Sequence, residues 1–197
     1  MTSDRIPGIL EFLRSAESLK NVTRTSWTSA GNRESVAEHT WRLCLMAVVL
    51  GPSFDGVDIA KLMKMCVIHD LGEAIGGDIS AKLQPPEGKS AQERADLLQL
   101  LAPLPHDAQD EIVGLWDEYE NAASLEARIA KALDKLETIM QHNQGRNPNT
   151  FDYAFNLTYG ASYTNSDPII AEIRRILDEE TASLSAKTSA DTSGRTV

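Results

Sequence analysis

Apolar residues along this chain recur at spacings of three and four almost from end to end, and no alternating run lasts more than a few residues. Ile6, Ile9, Leu10, Leu13, Ala16 and Leu19 open the pattern. Residues three or four apart share a helix face, whereas a strand face takes every second residue. The pattern therefore predicts an all-α fold, a compact helical domain without a β-sheet. No fixed repeat period appears, which argues against a solenoid.

Local signals place the helix ends. Asn21 to Glu34 is polar and reads as a loop carrying Arg24, Trp27 and Arg33. Ser35-Val36-Ala37-Glu38 is a capping box: a serine hydroxyl takes an orphan amide and a glutamate three residues on reaches back. The helix it opens runs through Trp41, Leu43, Cys44, Met46 and Leu50, and Gly51-Pro52 stops it. A third helix starts near Asp58, carries Ile59, Leu62, Met63, Cys66 and Val67, and ends around His69-Asp70-Leu71-Gly72. It is apolar on most of its circumference, so it belongs near the centre. Gly76-Gly77-Asp78 and Pro85-Pro86 mark a long irregular connection. Ser90 to Glu93 forms a second capping box, ahead of a helix through Leu101, and another helix runs to about Asn121. Ser124 caps a long helix striped by Ile129, Leu133, Leu136 and Met140. Residues 143–163 fit neither period. Ser166-Asp167-Pro168 is a cap followed by proline at the first helical position, and starts a last helix through Ile169, Ile173 and Leu177. Beyond about Ser183 the chain is rich in Ser, Thr and Ala. The expected organisation is one domain over residues 1–182 and a polar, flexible tail over 183–197.

Charge narrows the partners. The 197 residues hold 29 acidic and 19 basic side chains, a formal net charge of −10. Polymeric nucleic acid and anionic membranes need a basic face, so neither is an expected partner. No apolar run approaches the roughly 20 residues that span a bilayer, and the N-terminus shows no apolar signal-peptide core. Cys44 and Cys66 lie in separate apolar runs without a Cys-x-x-Cys pair. They read as two buried, reduced thiols, which suits a cytoplasmic location.

The chemistry concentrates around His69-Asp70, at the end of the most apolar helix. An imidazole and a carboxylate in low dielectric need compensation, and a divalent metal is one form of it. His39, in the first turn of a capped helix, and Asp134, at the edge of the Leu133/Leu136/Met140 stripe, complete a possible His₂Asp₂ set. Mixed nitrogen and oxygen ligation suits Mn, Fe, Co, Zn or Mg. Taken singly, these residues leave a plainer reading open: a hydrogen-bonded structural histidine, and an Asp134 paired with Lys131 or Lys135. Glu73 and Asp78 follow closely in His69-Asp70-Leu71-Gly72-Glu73-Ala74-Ile75-Gly76-Gly77-Asp78. Two carboxylates beside a metal are what general acid–base work requires.

These segments resemble the HD-domain superfamily of metal-dependent phosphohydrolases, whose signature is H…HD…D. More narrowly, the chain is similar to 5′-deoxynucleotidases of the HD domain-containing protein 2 type. The likeness rests on Leu19 to Trp27, Glu34-Ser35-Val36-Ala37-Glu38-His39, His69 to Asp78, Leu115 to Glu120, and Ala132 to Glu137. It covers roughly residues 5 to 180. The resemblance implies that His39, His69, Asp70 and Asp134 bind one divalent metal ion and that Glu73 and Asp78 are the catalytic carboxylates. It implies that Arg24 approaches the phosphate of a deoxyribonucleoside 5′-monophosphate, and that the protein is a homodimer. Trp27 either lines the sugar or base pocket or packs within its loop; some relatives carry the tryptophan directly after the arginine, whereas Thr25-Ser26 intervene here. Asp78 either protonates the leaving oxygen or holds the sugar. With a net charge of −10, nucleotide binding calls for local positive charge from the metal and Arg24, with Arg33 or Lys82 as further contributors.

Two kinds of alternative follow. One is another HD reaction: a cyclic-nucleotide or dinucleotide phosphodiesterase, an alarmone hydrolase or a dNTP triphosphohydrolase. Two-metal sites need extra histidines, and His106 and His142 both read as solvent-facing. The other is an inactive helical binding protein. Against it stands the presence of all four ligand positions and both further carboxylates.

Overall fold

The computed structural model describes residues 3–79 and 89–193. Helices α1 (Ile6–Ala16), α2 (Val36–Leu50), α3 (Ile59–Ile68), α4 (Glu73–Gly76), α5 (Lys89–Leu101), α6 (His106–Glu120), α7 (Leu125–Gln144) and α8 (Pro168–Ser193) dominate them. The fold is all-α, as the periodicity requires. The departure is a two-stranded hairpin, β1 (Thr23–Trp27) with β2 (Arg33–Ser35), where the sequence reads as a loop. Its strands are short and polar, and Ser26 is the buried residue of β1, so side-chain alternation carries no signal. Backbone bonds close its turn: the Thr28 amide donates to the Asn32 carbonyl and the Gly31 amide to the Thr28 carbonyl. Gly31 takes φ 90° there, a left-handed conformation that glycine adopts without steric cost.

Four of the predicted helix starts are built as read. Ser35 Oγ accepts from the Glu38 amide at 3.2 Å, and Glu38 Oε2 accepts from the Ser35 amide at 2.6 Å. Asp58 Oδ1 accepts from the Lys61 amide, and Ser124 Oγ from the Ala127 amide. Asp167 Oδ1 takes both the Ile169 and Ile170 amides ahead of α8. α1 is shorter than its periodicity suggests; a 3-10 turn over Glu17–Lys20 continues it and buries Leu19. The second predicted box is displaced, since α5 already includes Lys89 and Ser90 lies inside it. Residues 183–193, read as the start of the tail, continue α8. Pro85-Pro86 and Lys82 lie outside the described residues.

The chain forms two compact units. The first comprises the residues up to Thr25 together with Glu34–Ala130. In it α2 packs on α3, α3 on α6, and α5 on α1, α4 and α6. Its core joins Leu19, Val36, Ile68, Leu71, Leu97, Leu101 and Trp116. Full burial of a leucine such as Leu97 or Leu101 contributes about 2 kcal/mol. The second unit comprises Ser26–Arg33 and the residues from Lys131 onward. Its irregular stretch is held by the buried Arg174 of α8. That guanidinium donates to the carbonyls of Asn156, Leu157 and Tyr159 at 2.7–2.9 Å and to Asp178 Oδ1 at 2.8 Å. Among the described residues no helix is long and apolar enough to cross a membrane. Cys44 and Cys66 form no disulfide; Cys66 is buried as expected, whereas Cys44 is only half-buried because its side of α2 is partly open, and that partial burial pushes its thiol pKa up.

Candidate metal centre

Two helix ends deliver the histidines. The capping box fixes where α2 begins, and so puts His39 in its first turn, where the ring is fully buried. α3 ends at Ile68, and His69 is its C-cap. The last carbonyls of a helix form its negative pole, which favours a cation. His69 is held on three sides. Its Nδ1 lies 3.0 Å from the Cys66 carbonyl oxygen, its ring meets Tyr119 edge-on at 5.3 Å, and its own carbonyl accepts from the Trp116 indole N–H at 3.0 Å.

A carbonyl can only accept, so His69 Nδ1 carries the proton and Nε2 presents the ring's other nitrogen to the site. A carbonyl that takes the proton of one ring nitrogen, and so turns the other toward the site, is typical of metal-ligating histidines. His69 Nε2 lies 3.0 Å from Asp70 Oδ2, and His39 Nε2 lies 3.8 Å from the same oxygen. Ligand atoms of His39, His69 and Asp70 all fall within 4.8 Å of one another. Two ligands about 2.1 Å from an ion and at right angles stand about 3.0 Å apart, so the spacing and donor types fit a divalent metal.

Two further carboxylates flank the group. Glu73 opens α4, and Asp78 follows Gly77, whose φ of 76° turns the chain. Glu73 Oε2 is buried with no hydrogen-bond partner among the described residues. Burial, reinforced by the charges of Asp70 and Asp78, pushes the Glu73 carboxyl up to about 10 against the opposing pull of Arg24. A cation among these carboxylates would reverse much of that effect.

Arg24 on β1 reaches the same place. Its Nη1 lies 3.5 Å from Asp70 Oδ2, and its Nε lies 3.5 Å from Glu34 Oε2. Glu34 is 2% exposed and faces a second guanidinium, with Arg42 Nη2 3.9 Å from its Oε1. Neither Glu34 nor Arg42 emerges as a site residue from sequence reasoning. The available signal was modest: Arg42 stands three residues after His39 and so shares its helix face, and Glu34 directly precedes the capping serine.

Arg24, His39, His69, Asp70, Glu73 and Asp78 thus belong to the first unit, whereas Asp134 and Trp27 belong to the second. The Asp134 carboxylate is buried, with Lys135 Nζ 2.8 Å from its Oδ2. Asp134 and the Tyr159 hydroxyl raise the Lys135 pKa although burial alone would lower it. Trp27 is half-buried; the Arg33 guanidinium sits 4.5 Å from its ring centre and Phe151 meets it edge-on at 6.3 Å. Arg33 is exposed and stacks its guanidinium on that aromatic face. His142 corrects the expectation of a solvent-facing residue: it is buried, with Nδ1 2.8 Å from Asn156 Oδ1 and its ring against Phe151. The residues that bury it come from 151–156, the stretch whose sequence follows neither period. His106 is exposed at the first position of α6, as expected.

Comparison with known proteins agrees with this geometry. The HD domain profile matches residues 16–174. A 5′-deoxynucleotidase, HDDC2, of Bos taurus is 37% identical over 139 residues, covering 69% of this chain and 67% of that protein. The Homo sapiens 5′-deoxynucleotidase HDDC2 is 36% identical over 139 residues with the same coverage. A crystal structure from Magnetospirillum magnetotacticum MS-1, described as a predicted metal-dependent phosphohydrolase, matches with a TM-score of 0.75 at 27% identity. That match covers 90% of this chain and 93% of the other. The profile's span takes in His39, His69, Asp70, Glu73, Asp78 and Asp134, and the chain belongs to the HD-domain family.

Proposed function

We propose that this protein is a metal-dependent 5′-deoxynucleotidase, hydrolysing deoxyribonucleoside 5′-monophosphates to the nucleoside and inorganic phosphate. The observation that carries the reading is the group of two buried histidines, His39 and His69, with the half-buried Asp70, in a chain 37% identical to a 5′-deoxynucleotidase. The catalytic body is the HD domain, taken as residues 1–182, with 183–197 as a polar extension.

In this reading His39, His69, Asp70 and Asp134 hold one divalent ion of the Mn, Co, Mg, Zn or Fe type. When bound, such an ion supplies Lewis acidity toward a phosphoryl oxygen and lowers the pKa of water. Glu73 orients the attacking water and accepts its proton; a carboxyl with raised proton affinity suits that task. The water oxygen bonds to phosphorus, the bond from phosphorus to the 5′-oxygen breaks, and that oxygen takes up a proton. Asp78 either delivers this proton or holds the sugar 3′-hydroxyl. Arg24 faces the phosphoryl oxygens with paired donors, a geometry that guanidinium supplies and ammonium does not. Trp27 borders the sugar or base. Metal and Arg24 together create the positive potential that a −10 chain otherwise lacks.

The test is phosphate release from dAMP, dGMP, dCMP, dTMP and dUMP with Mn²⁺, Co²⁺, Mg²⁺ and Zn²⁺, beside ribonucleotides and di-, tri- and cyclic nucleotides. Activity confined to deoxyribonucleoside monophosphates is expected. Absence of phosphate release from all five by metal-replete protein ends the proposal. Glu73→Ala abolishes turnover and retains metal; Asp134→Ala loses both.

The proposed assembly is a cytoplasmic homodimer. Support comes from α2, which exposes Trp41 (66%), Leu45, Val48 and Val49 (65%), a larger apolar stripe than a lone helix face ordinarily leaves in water. Light scattering of the parent and of Trp41→Glu tests it: the parent should be dimeric and the variant monomeric.

A further inference from the structure

We propose that Glu34 is a positioning residue for the phosphate-binding guanidinium of Arg24; the inference rests on the reading of Arg24 given above. Glu34 is 2% exposed, at the junction between β2 and α2, and a carboxylate so placed needs positive charge close by. Two guanidiniums supply it. Arg42 approaches Oε1 at 3.9 Å from within α2, and Arg24 approaches Oε2 at 3.5 Å from β1. Arg42 is anchored on the helix that also carries His39, so the carboxylate is fixed relative to the metal group.

The Arg24 contact is made through Nε, on one edge of the guanidinium. Nη1 then points the other way and lies 3.5 Å from Asp70 Oδ2. Arg24 thus lies at ion-pair distance from two carboxylates, the buried one of Glu34 and that of Asp70, 3.5 Å from each. A guanidinium holds five donors in a rigid plane, so fixing one edge fixes the direction of the other. Glu34 sets the plane of Arg24, and so directs Nη1 toward the side where Asp70 stands.

Position and charge make opposite forecasts, which gives the idea its test. Glu34 carries a negative charge that repels anions. If its effect on substrate were only electrostatic, Glu34→Gln would tighten the binding of inorganic phosphate. If it acts by holding Arg24, the same change loosens phosphate.

The experiment measures competitive inhibition by inorganic phosphate, kcat and KM for dAMP, and bound metal per protein. It compares the parent, Glu34→Gln, Arg24→Met and the double variant. Glu34→Gln is expected to raise the phosphate Ki and KM about tenfold with metal content unchanged, in line with the cost of a displaced positioning group. Arg24→Met gives at least that loss, and Glu34→Gln adds less than about twofold on the Arg24→Met background, because both act through one guanidinium. Inhibition by deoxyadenosine, which has no phosphate, stays at the parent value. Unchanged or tighter phosphate binding in Glu34→Gln overturns the inference, as does a full multiplicative effect in the double variant. If Arg24→Met leaves the phosphate Ki unaltered, the Arg24 reading falls and takes this inference with it. Glu34→Asp keeps the charge but shortens its reach. It should raise the Ki by an intermediate factor of about three, and an unchanged value overturns the inference even where Glu34→Gln does not fold.

Discussion

Trp116→Phe probes how the protein core and the candidate metal group depend on each other. The indole of Trp116 is 2% exposed, and its N–H donates to the carbonyl oxygen of His69 at 3.0 Å. Phenylalanine removes that donor, and a buried carbonyl deprived of its partner costs about 1–3 kcal/mol. The smaller ring also gives up buried carbon, worth about 1 kcal/mol, before any cavity term. The sum is a loss of about 2–4 kcal/mol. With a urea dependence of about 3 kcal/mol per molar, the unfolding midpoint should fall by roughly 1 M at unchanged slope. Because the lost bond anchors the backbone of a proposed metal ligand, affinity for Zn²⁺ should fall about tenfold, the lower end of the cost of losing a group that orients a ligand. Urea unfolding followed by far-UV circular dichroism and a competitive zinc titration give the two numbers. A stability within about 0.5 kcal/mol of the parent would refute the packing argument. A full loss of stability with zinc affinity intact would refute the coupling to the site.

Three further outcomes follow from the geometry. Between about pH 4.5 and 10 the unfolded chain releases the Glu73 proton while the folded, metal-free protein retains it, so this carboxyl costs progressively more stability as pH rises. Glu73→Gln should therefore raise the melting temperature of chelator-treated protein near pH 8 and leave it unchanged near pH 4; equal shifts at both would contradict the assigned cause. Ser35→Ala, which removes the box that starts α2, should cost about 1 kcal/mol in urea unfolding. Gly56→Ala should cost about 1 kcal/mol, since φ is 75° but nothing lies within 4 Å of the added carbon. Gly160→Ala should cost clearly more, because the new Cβ would stand 2.6 Å from Lys135 Cβ, and matching values for the two glycines would contradict the contact.

Much of the scaffold was legible because its signals are local. Ser35 with Glu38, Asp58, Ser124 and Asp167-Pro168 each mark a helix start through a side chain reaching an amide two or three residues away. The Thr23–Trp27 strand was not legible, since backbone pairing rather than an apolar face makes it a strand. The burial of His142 was hidden because its cover comes from residues 151–156, outside any periodic segment. Trp41 shows the same limit from the other side: a tryptophan in an apolar helix fits a core or an interface alike, and in the structure this one is 66% exposed.

The candidate site divides in the same way. Its residue types, their order along the chain and the places of His39 and His69 at helix ends are properties of the sequence, because capping and periodicity operate within one or two turns. The tertiary structure alone decided that His39 and His69 aim Nε2 at one oxygen of Asp70, and that Arg24 reaches it from a strand. It also revealed the buried Glu34 between two guanidiniums. Those facts depend on contacts between residues far apart in the chain, as do the burial and the neighbouring Asp70 and Asp78 charges that push the Glu73 carboxyl up to about 10. Neither distance nor dielectric is written in local sequence; both arise when separate helices exclude water from the same small volume.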